Sequence, residues 1–401
     1  MRNEKASRRI LVIDDSEAIL LVMKTMLNEI GYHDITTTSS SQRAMDMVCE
    51  APEHFSVILT DLNMPGFDGM QVVRKLGEVG FSGAVGIISE MDKRIVELAC
   101  DISRQHKICL VGNLAKPVQL PDLRRLFQKV DQIEERKFSH YRPLEKEALI
   151  EALNLSQVTP YYQPKLDLCT NKVTGVEVLA RINRPGQVDA MLPGRFIPTA
   201  IKHQLIDRVT FQLVAKAVAD YENLHETFGD HIKLCFNLSP SQLSDLGYPD
   251  ELENMLDQYR IERNRIVLEI TEEFALKSAT QLESLNRLRM RGYGISLDDF
   301  GTGYTNLQQL RSLPFTEVKI DRTLIDGIHK DKFSQVVVQS LVDIASGIGI
   351  ELVAEGIEKM ADFEYLQSHY QAITIQGFLL CKPRGLQSLS TWHRSWVSNT
   401  A

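Results

Sequence analysis

In the second half of the chain, successive short apolar runs each carry an oxygen-bearing or cationic residue at or near their ends. "KVTGVEVLAR" carries Glu177, "IKLCFN" ends at Asn237 and "RIVLEIT" carries Glu269. "GISLDD" ends at Asp298 and Asp299, "FTEVKID" carries Lys319, "GIELVAE" ends at Glu355 and "AITIQG" carries Gln376. A single such residue is ordinarily a helix cap or a loop residue. A series is different, because strands closed into a parallel barrel bring all their carboxyl ends to one face. Glu177, Glu269, Asp298, Asp299 and Glu355 would then share a rim. Like charges held close raise one another's pKa, so this cluster must take up protons or cations. An all-oxygen donor set that includes Asn237 and has no histidine suits Mg²⁺ or Mn²⁺ rather than zinc. Five acids exceed the needs of one ion. Two ions about 3.5–4 Å apart can activate water and clamp a phosphodiester for in-line attack.

A second set of acids lies in the first 130 residues. "LVIDDS" places Asp14 and Asp15 at the end of one apolar run, and "VILTDLNMPGFDG" places Asp61 at the end of another. "GIISE" and "LAKP" add Ser89 and Lys116 after two more. Ligands in open α/β sheets bind at the carboxyl ends of strands, so these residues should converge. Three carboxylates suit one Mg²⁺, which prefers oxygen ligands and keeps several waters. The lysine and the hydroxyl could then hold the oxygens of a phosphoryl group on Asp61.

The elements that must position these residues alternate β-rich runs with segments of helical periodicity. Over residues 8–130, "RILVID", "DITTT", "FSVILT", "AVGIIS" and "KICLV" read as strands, and pieces such as "SEAILLVMKTMLNEIG" read as helices. Five βα units predict a doubly wound, five-stranded parallel sheet. "VDQIEERKFSHYRPLEKEALIEAL" is dense in charge, and residues 131–147 are assigned to a helical linker interrupted near Pro143. Residues 148–395 again alternate strands and helices, over the usual length of a (β/α)8 barrel.

Composition narrows the function. A net charge of −8 argues against a general nucleic-acid binder, which would carry a basic face. The 6 cysteines show no C-x-x-C pair, which fits neither a disulfide framework nor a zinc cluster. "ILVIDDSE" brings acids in after four apolar residues, so the basic start is not expected to act as a signal peptide. No long uncharged apolar run is present, so no membrane span and a cytoplasmic location are expected.

Both blocks resemble known families. The first, with Asp14-Asp15, Asp61, Ser89 and Lys116 in order, resembles the receiver domain of two-component response regulators. That resemblance makes Asp61 the phosphoacceptor, Asp14 and Asp15 the Mg²⁺ acids, and Ser89 and Lys116 the residues that sense the phosphoryl group; it implies a histidine kinase or phosphotransfer protein as partner. The aromatic usual shortly before the lysine is missing, and Asn113 stands near its place. The second block, with "EVLAR", "FNLS", "EITE", "DDFGTGY", "KID", "EGIE" and "QGF", resembles EAL-domain phosphodiesterases, which cleave cyclic di-GMP to linear pGpG on a modified TIM barrel. The resemblance makes Glu177, Asn237, Glu269 and Asp298 ligands of a first metal, with Asp298 bridging to a second completed by Asp299 and Glu355. It gives Lys319 the attacking water to orient, Glu272 the "DDFGTGY" loop to hold, and Gln376 a place beside the metals. Gln163 and Arg181 become contacts to guanine and phosphate, and a dimer is implied. Departures are Val178 in the signature triplet, Ile182 for a usual tryptophan and Ile201 for a usual glutamate. "DFG" without the other kinase motifs carries nothing, and no "GGDEF" cyclase signature is present. The reading is a response regulator that hydrolyses cyclic di-GMP; the alternative is a catalytically silent receptor for the same nucleotide that signals through protein partners.

Overall fold

The structure, a computed structural model, describes residues 8–90, 108–139, 143–186, 189–259, 261–271, 278–301 and 307–400. It forms two compact units, Met1–Arg142 and Pro143–Ala401.

In the first unit, strands β1 (Arg9–Ile13), β2 (Asp34–Thr38), β3 (Val57–Asp61), β4 (Ala84–Ser89) and β5 (Cys109–Ala115) form one parallel sheet in the order β2-β1-β3-β4-β5. β3 and β4 are buried along their whole length, which is why they read as unbroken apolar runs and not as alternating ones. Helices cover both faces. Leu20, Met23 and Leu27 meet Leu123, Leu126 and Phe127 on one side. Ala44, Met45, Val48, Val72, Val73 and Leu76 form the core on the other. The helix Gly69–Glu78 opens on a reciprocal cap between Asp68 and Gln71, so the chain leaving Asp61 enters its helix at a fixed angle. The predicted five-stranded, doubly wound sheet is therefore present, with its switch point between β1 and β3. The last helix runs Leu120–Ser139, so the residues from 131 onward extend it instead of starting a separate element.

The second unit opens with the helix Lys146–Asn154, preceded by Pro143. Leu144 ties this entry to the barrel: its N–H donates to the carbonyl of Arg195, and its own carbonyl accepts from Thr199. Strands β6 (Val158–Asp167), β7 (Lys172–Ile182), β8 (Lys233–Asn237), β9 (Ile266–Thr271), β10 (Gly294–Phe300), β11 (Glu317–Ile320), β12 (Glu351–Ala354) and β13 (Thr374–Ile375) close into an eight-stranded barrel. β7 to β13 run parallel, whereas β6 is antiparallel to both of its neighbours. The cause is local. β6 and β7 are joined by a tight turn in which Asp167 accepts from Thr170 and Asn171 takes a left-handed backbone, leaving no room for a crossover helix. This hairpin is what modifies the (β/α)8 plan.

Candidate active site

Strand alternation selects the inner face of the barrel. Asn237 on β8, Glu269 on β9, Asp298 on β10 and Lys319 on β11 sit near the carboxyl ends of parallel strands, Glu177 lies midway along the longer β7, and Glu355 and Gln376 directly follow β12 and β13. Lys319 is at their centre. Its Nζ lies 2.6 Å from Glu355 Oε1, 3.1 Å from Asp298 Oδ1, 3.2 Å from Glu269 Oε2 and 3.8 Å from Glu177 Oε2. Burial disfavours the ammonium, but the four carboxylates outweigh it and hold Lys319 well above the usual lysine range.

The acids respond differently to the same surroundings. Burial pushes Asp298 up to about 7 and Glu355 up to about 8, with the neighbouring carboxylates adding to the rise and Lys319 opposing it. Burial acts on Glu269 in the same sense, yet Lys165 and Lys319 together overcome it and leave this carboxyl below its usual value. Glu177 is held by hydrogen bonds: Asn237 Nδ2 donates to Oε1 at 2.8 Å and Gln376 Nε2 to Oε2 at 2.6 Å. Gln376 Nε2 also reaches Gln163 Oε1 at 3.3 Å, and Gln163 donates to the carbonyl of Cys381.

The two adjacent aspartates are resolved by the backbone. The register of β10 against β11 shifts between Leu297 and Phe300, and Asp299 takes a left-handed conformation with φ +58°. This bulge breaks the alternation that would otherwise send the two side chains to opposite faces. Carboxylate oxygens of Asp298, Asp299 and Glu355 consequently lie within 4.8 Å of one another. Beside them opens a cavity of ≈ 230 Å³ lined by Gln163, Glu177, Glu355, Gln376, Arg322 and Phe378.

In the first unit, Asp14 and Asp61 are buried, Asp15 is exposed, and oxygens of all three lie within 4.8 Å of one another. Lys116 Nζ is 2.8 Å from Asp14 Oδ2 and 2.7 Å from Asp61 Oδ2. Burial opposes its charge, but hydrogen bonds to both acids raise its pKa. Ser89 is buried at the end of β4, and Asn113 is exposed on β5. The chain folds back tightly here: a Cβ on Gly69 would meet the carbonyl oxygen of Asp61 at 2.1 Å.

Comparison with known proteins agrees with both halves. The EAL domain family matches residues 146–383, and the response regulator receiver domain family matches residues 10–128. The chain belongs to the EAL-domain family. Its receiver and EAL domains are joined as one protein in the same order over nearly the whole length of a relative, the cyclic di-GMP phosphodiesterase RocR of Pseudomonas aeruginosa. The two are 29% identical over 382 residues, covering 93% of this chain and 95% of RocR. The bifunctional diguanylate cyclase/cyclic di-GMP phosphodiesterase MucR of the same organism is 34% identical over 242 residues, covering 60% of this chain and only 35% of MucR. The solved structure of the PaMucR phosphodiesterase in its c-di-GMP complex superposes with a TM-score of 0.56 at 33% identity, covering 61% of this chain and 98% of that one. No helix among the described residues is long and apolar enough to cross a membrane.

EAL phosphodiesterases are metal-dependent, and the donor set here fits a hard divalent cation: all oxygens, several of them carboxylates, three already within ligand distance of one another. Asp298, Asp299 and Glu355 converge directly, whereas Glu177 and Glu269 meet Asp298 through the Lys319 ammonium. Arg181 stays apart from this cluster. It shares a face of β7 with Glu177 but donates to the carbonyl of Ala180 and lies 5.5 Å over the Tyr161 ring, and burial lowers its pKa. Glu272 falls outside the described residues. Three buried residues escaped the sequence reading: Lys165, Ser296 and Glu317. Each lies two positions from a residue that was found (Gln163, Asp298, Lys319), and that period of two was the signal available. Lys165 is disfavoured by burial, but Cys235, Glu269 and Glu317 more than offset this and keep it well above the usual lysine range.

Proposed function

We propose that this protein is a cytoplasmic response regulator whose barrel hydrolyses cyclic di-GMP to linear pGpG under control of phosphorylation at Asp61. The observation that carries the reading is the convergence of Glu177, Glu269, Asp298 and Glu355 on one buried ammonium at the carboxyl ends of the strands. No structural need explains it, since these four carboxylates and Glu317 share only two lysines, Lys319 and Lys165, which leaves an excess of negative charge that only further cations or protons can balance.

Glu177, Asn237, Glu269 and Asp298 are assigned to one Mg²⁺ or Mn²⁺, and Asp298, Asp299 and Glu355 to a second. Such ions, when bound, supply the activated water and the electrophilic clamp on the phosphodiester. The chain's own residues do the rest. The oxygen of one water bonds to phosphorus as the bond to the ribose 3′-oxygen breaks, and the proton that this water gives up passes to the departing 3′-oxygen. Lys319, which keeps its proton, orients the incoming water and compensates charge among the acids as the ions enter and leave. Gln163 and Gln376 form an amide chain onto Glu177 that fixes this carboxylate and presents polar atoms to the nucleotide in the cavity. Arg181 is assigned to a phosphate, and the assignment of Glu272 to the "DDFGTGY" loop rests on the family resemblance alone. A homodimer belongs to the same reading.

In the receiver, Asp61 takes a phosphoryl group from a histidine kinase or phosphotransfer protein, with one Mg²⁺ on Asp14, Asp15 and Asp61. Lys116 and Ser89 take the phosphoryl oxygens. The test is direct. Full-length protein incubated with cyclic di-GMP and Mn²⁺ or Mg²⁺ is expected to release pGpG, and Glu177→Ala is expected to abolish it. Tight binding without product would overturn the enzymatic reading, and a fully active Glu177→Ala would overturn the site. Radiolabel transferred from a small phosphodonor is expected on the wild type and not on Asp61→Asn.

A further inference from the structure

A second set of polar side chains lies one layer beneath Asp298 and Lys319, with Ser296 and Glu317 in register with Glu269. Lys165 follows Gln163 by two residues on β6, Ser296 precedes Asp298 by two on β10, and Glu317 precedes Lys319 by two on β11, so alternation turns all three inward. They are joined: Lys165 Nζ donates to Glu317 Oε1 at 2.8 Å and to Glu269 Oε1 at 2.7 Å, and Ser296 Oγ donates to Glu317 Oε1 at 2.7 Å. Lys165 is 2% exposed, Glu317 5% and Ser296 0%. At this depth a barrel is ordinarily filled by Val, Ile and Leu. Replacing a buried ion pair by packed apolar residues is often neutral or stabilising, so stability alone does not account for these three.

Their upward connection to the acids is through Glu269. That carboxylate is gripped from both sides, Oε1 by Lys165 from below and Oε2 by Lys319 from above. A free carboxylate turns about its last bond and offers a cation either oxygen or both. We propose that Lys165, itself fixed by Glu317 and Ser296, is a positioning residue for the barrel metal site: it holds Oε1 of Glu269 and so fixes the orientation in which this carboxylate would meet the ion. Glu317 keeps the lysine from drawing too closely on Glu269, and Ser296 sets the rotamer of Glu317. The inference rests on the reading that the barrel acids bind a divalent cation, and it adds a supporting layer to that site.

Mn²⁺ binding to metal-free full-length protein, followed by the electron paramagnetic resonance of the free ion without substrate, tests it. All proteins carry Asp14→Ala and Asp15→Ala so that only the barrel is titrated. The variant Lys165→Met/Glu317→Gln removes one charge of each sign and is expected to bind Mn²⁺ 10- to 100-fold more weakly, the usual effect of losing a ligand's outer partner. Ser296→Ala, which acts only through Glu317, is expected to weaken binding by more than twofold but less than the roughly 10-fold of losing a direct partner. Excess Mn²⁺ should restore turnover in both, which a merely structural defect would not allow. Affinities within twofold of the parent in both variants would overturn the proposal, and if the double variant does not fold, Ser296→Ala and Glu317→Gln decide it by the same criterion. A parent that binds Mn²⁺ in the barrel yet cleaves no cyclic di-GMP would count against the proposed hydrolysis and leave this inference to be judged on the affinities.

Discussion

With its ammonium within 3.8 Å of four carboxylates and only 1% of its surface exposed, Lys319 is the counter-charge of the barrel mouth when no metal is bound. Removing one partner of a buried charge cluster strands the rest, at a cost of about 3–5 kcal/mol. Lys319→Met is therefore expected to destabilise the barrel by that amount in urea unfolding with chelator present, and Mn²⁺ is expected to recover most of the loss; equal stability of the two proteins in chelator would contradict this. The same cluster makes metal-free stability depend on pH. Asp298 and Glu355 are raised to about 7 and about 8, above the roughly 3.9 and 4.3 of the unfolded chain. The folded protein thus holds protons that the unfolded chain has released. Their contribution is complete below about pH 4 and is lost as pH rises through 7 and 8. Glu269, held low, titrates below this window and does not offset it. In chelator the melting temperature is expected to fall between pH 6 and pH 9, and Asp298→Asn/Glu355→Gln to flatten that fall. A parent protein as stable at pH 9 as at pH 6, relative to this variant, would remove the assignment.

At the scale of elements, two strand-end loops interlock beside the cavity. The N–H of Ile357 donates to the carbonyl of Gln376, and the N–H of Leu379 donates back to the carbonyl of Ile357. Gly377 makes this possible, since a Cβ there would lie 2.1 Å from the Ile357 oxygen and 2.4 Å from its nitrogen. Gly377→Ala must separate the loops that carry Glu355 and Gln376. A barrel destabilised by about 1–3 kcal/mol is expected, the usual cost of overpacking, together with a large loss of hydrolysis. Gly347→Ala is the contrast. It is an exposed residue in the last turn of the helix Lys332–Ile348 with nothing within 4 Å of its Cβ position, so a gain of at most about 0.5 kcal/mol with unchanged turnover is expected. Denaturant midpoints and initial rates of the two variants check both. Elements of this kind were only partly legible in the sequence. Strand-end residues such as Asn237 and Glu355 announce themselves because an apolar run stops at them. Lys165 and Ser296 sit inside their strands and Glu317 opens one, positions where a polar residue reads as the solvent face of an alternating strand; only closure of the barrel turns that face inward. The antiparallel course of β6 was likewise hidden, because a short turn between two β-rich runs does not say that the strands close a barrel. Asp298-Asp299 was legible as a pair, but the bulge that lets both face the site is a backbone property that neither residue type dictates.

For the molecule as a whole, the two units have separate hydrophobic cores and separate acid clusters. A single unfolding free energy is then not defined for the chain, and two thermal transitions are expected in calorimetry. A ligand at about 100 times its dissociation constant adds about 2.7 kcal/mol to the unit that binds it. Mg²⁺ with beryllofluoride, a phosphoryl mimic, is expected to raise the receiver transition and to lose this effect in Asp61→Asn. Mn²⁺ with cyclic di-GMP is expected to raise the barrel transition and to lose it in Asp298→Asn. The proposed control of hydrolysis by Asp61 adds a constraint that separate folding does not. If the phosphoryl mimic changes the affinity for cyclic di-GMP by some factor, cyclic di-GMP must change the affinity for the mimic by the same factor. Coupling of this kind is typically about 1–3 kcal/mol, a factor of about 5 to 150, so it is measurable beside the direct shifts. Calorimetric titration of each ligand with the other absent and saturating is expected to give matching factors, and their common sign tells whether phosphorylation favours or opposes the nucleotide-bound barrel. Two factors of one, with turnover at saturating substrate also unmoved by the mimic, would mean that the receiver does not govern this barrel.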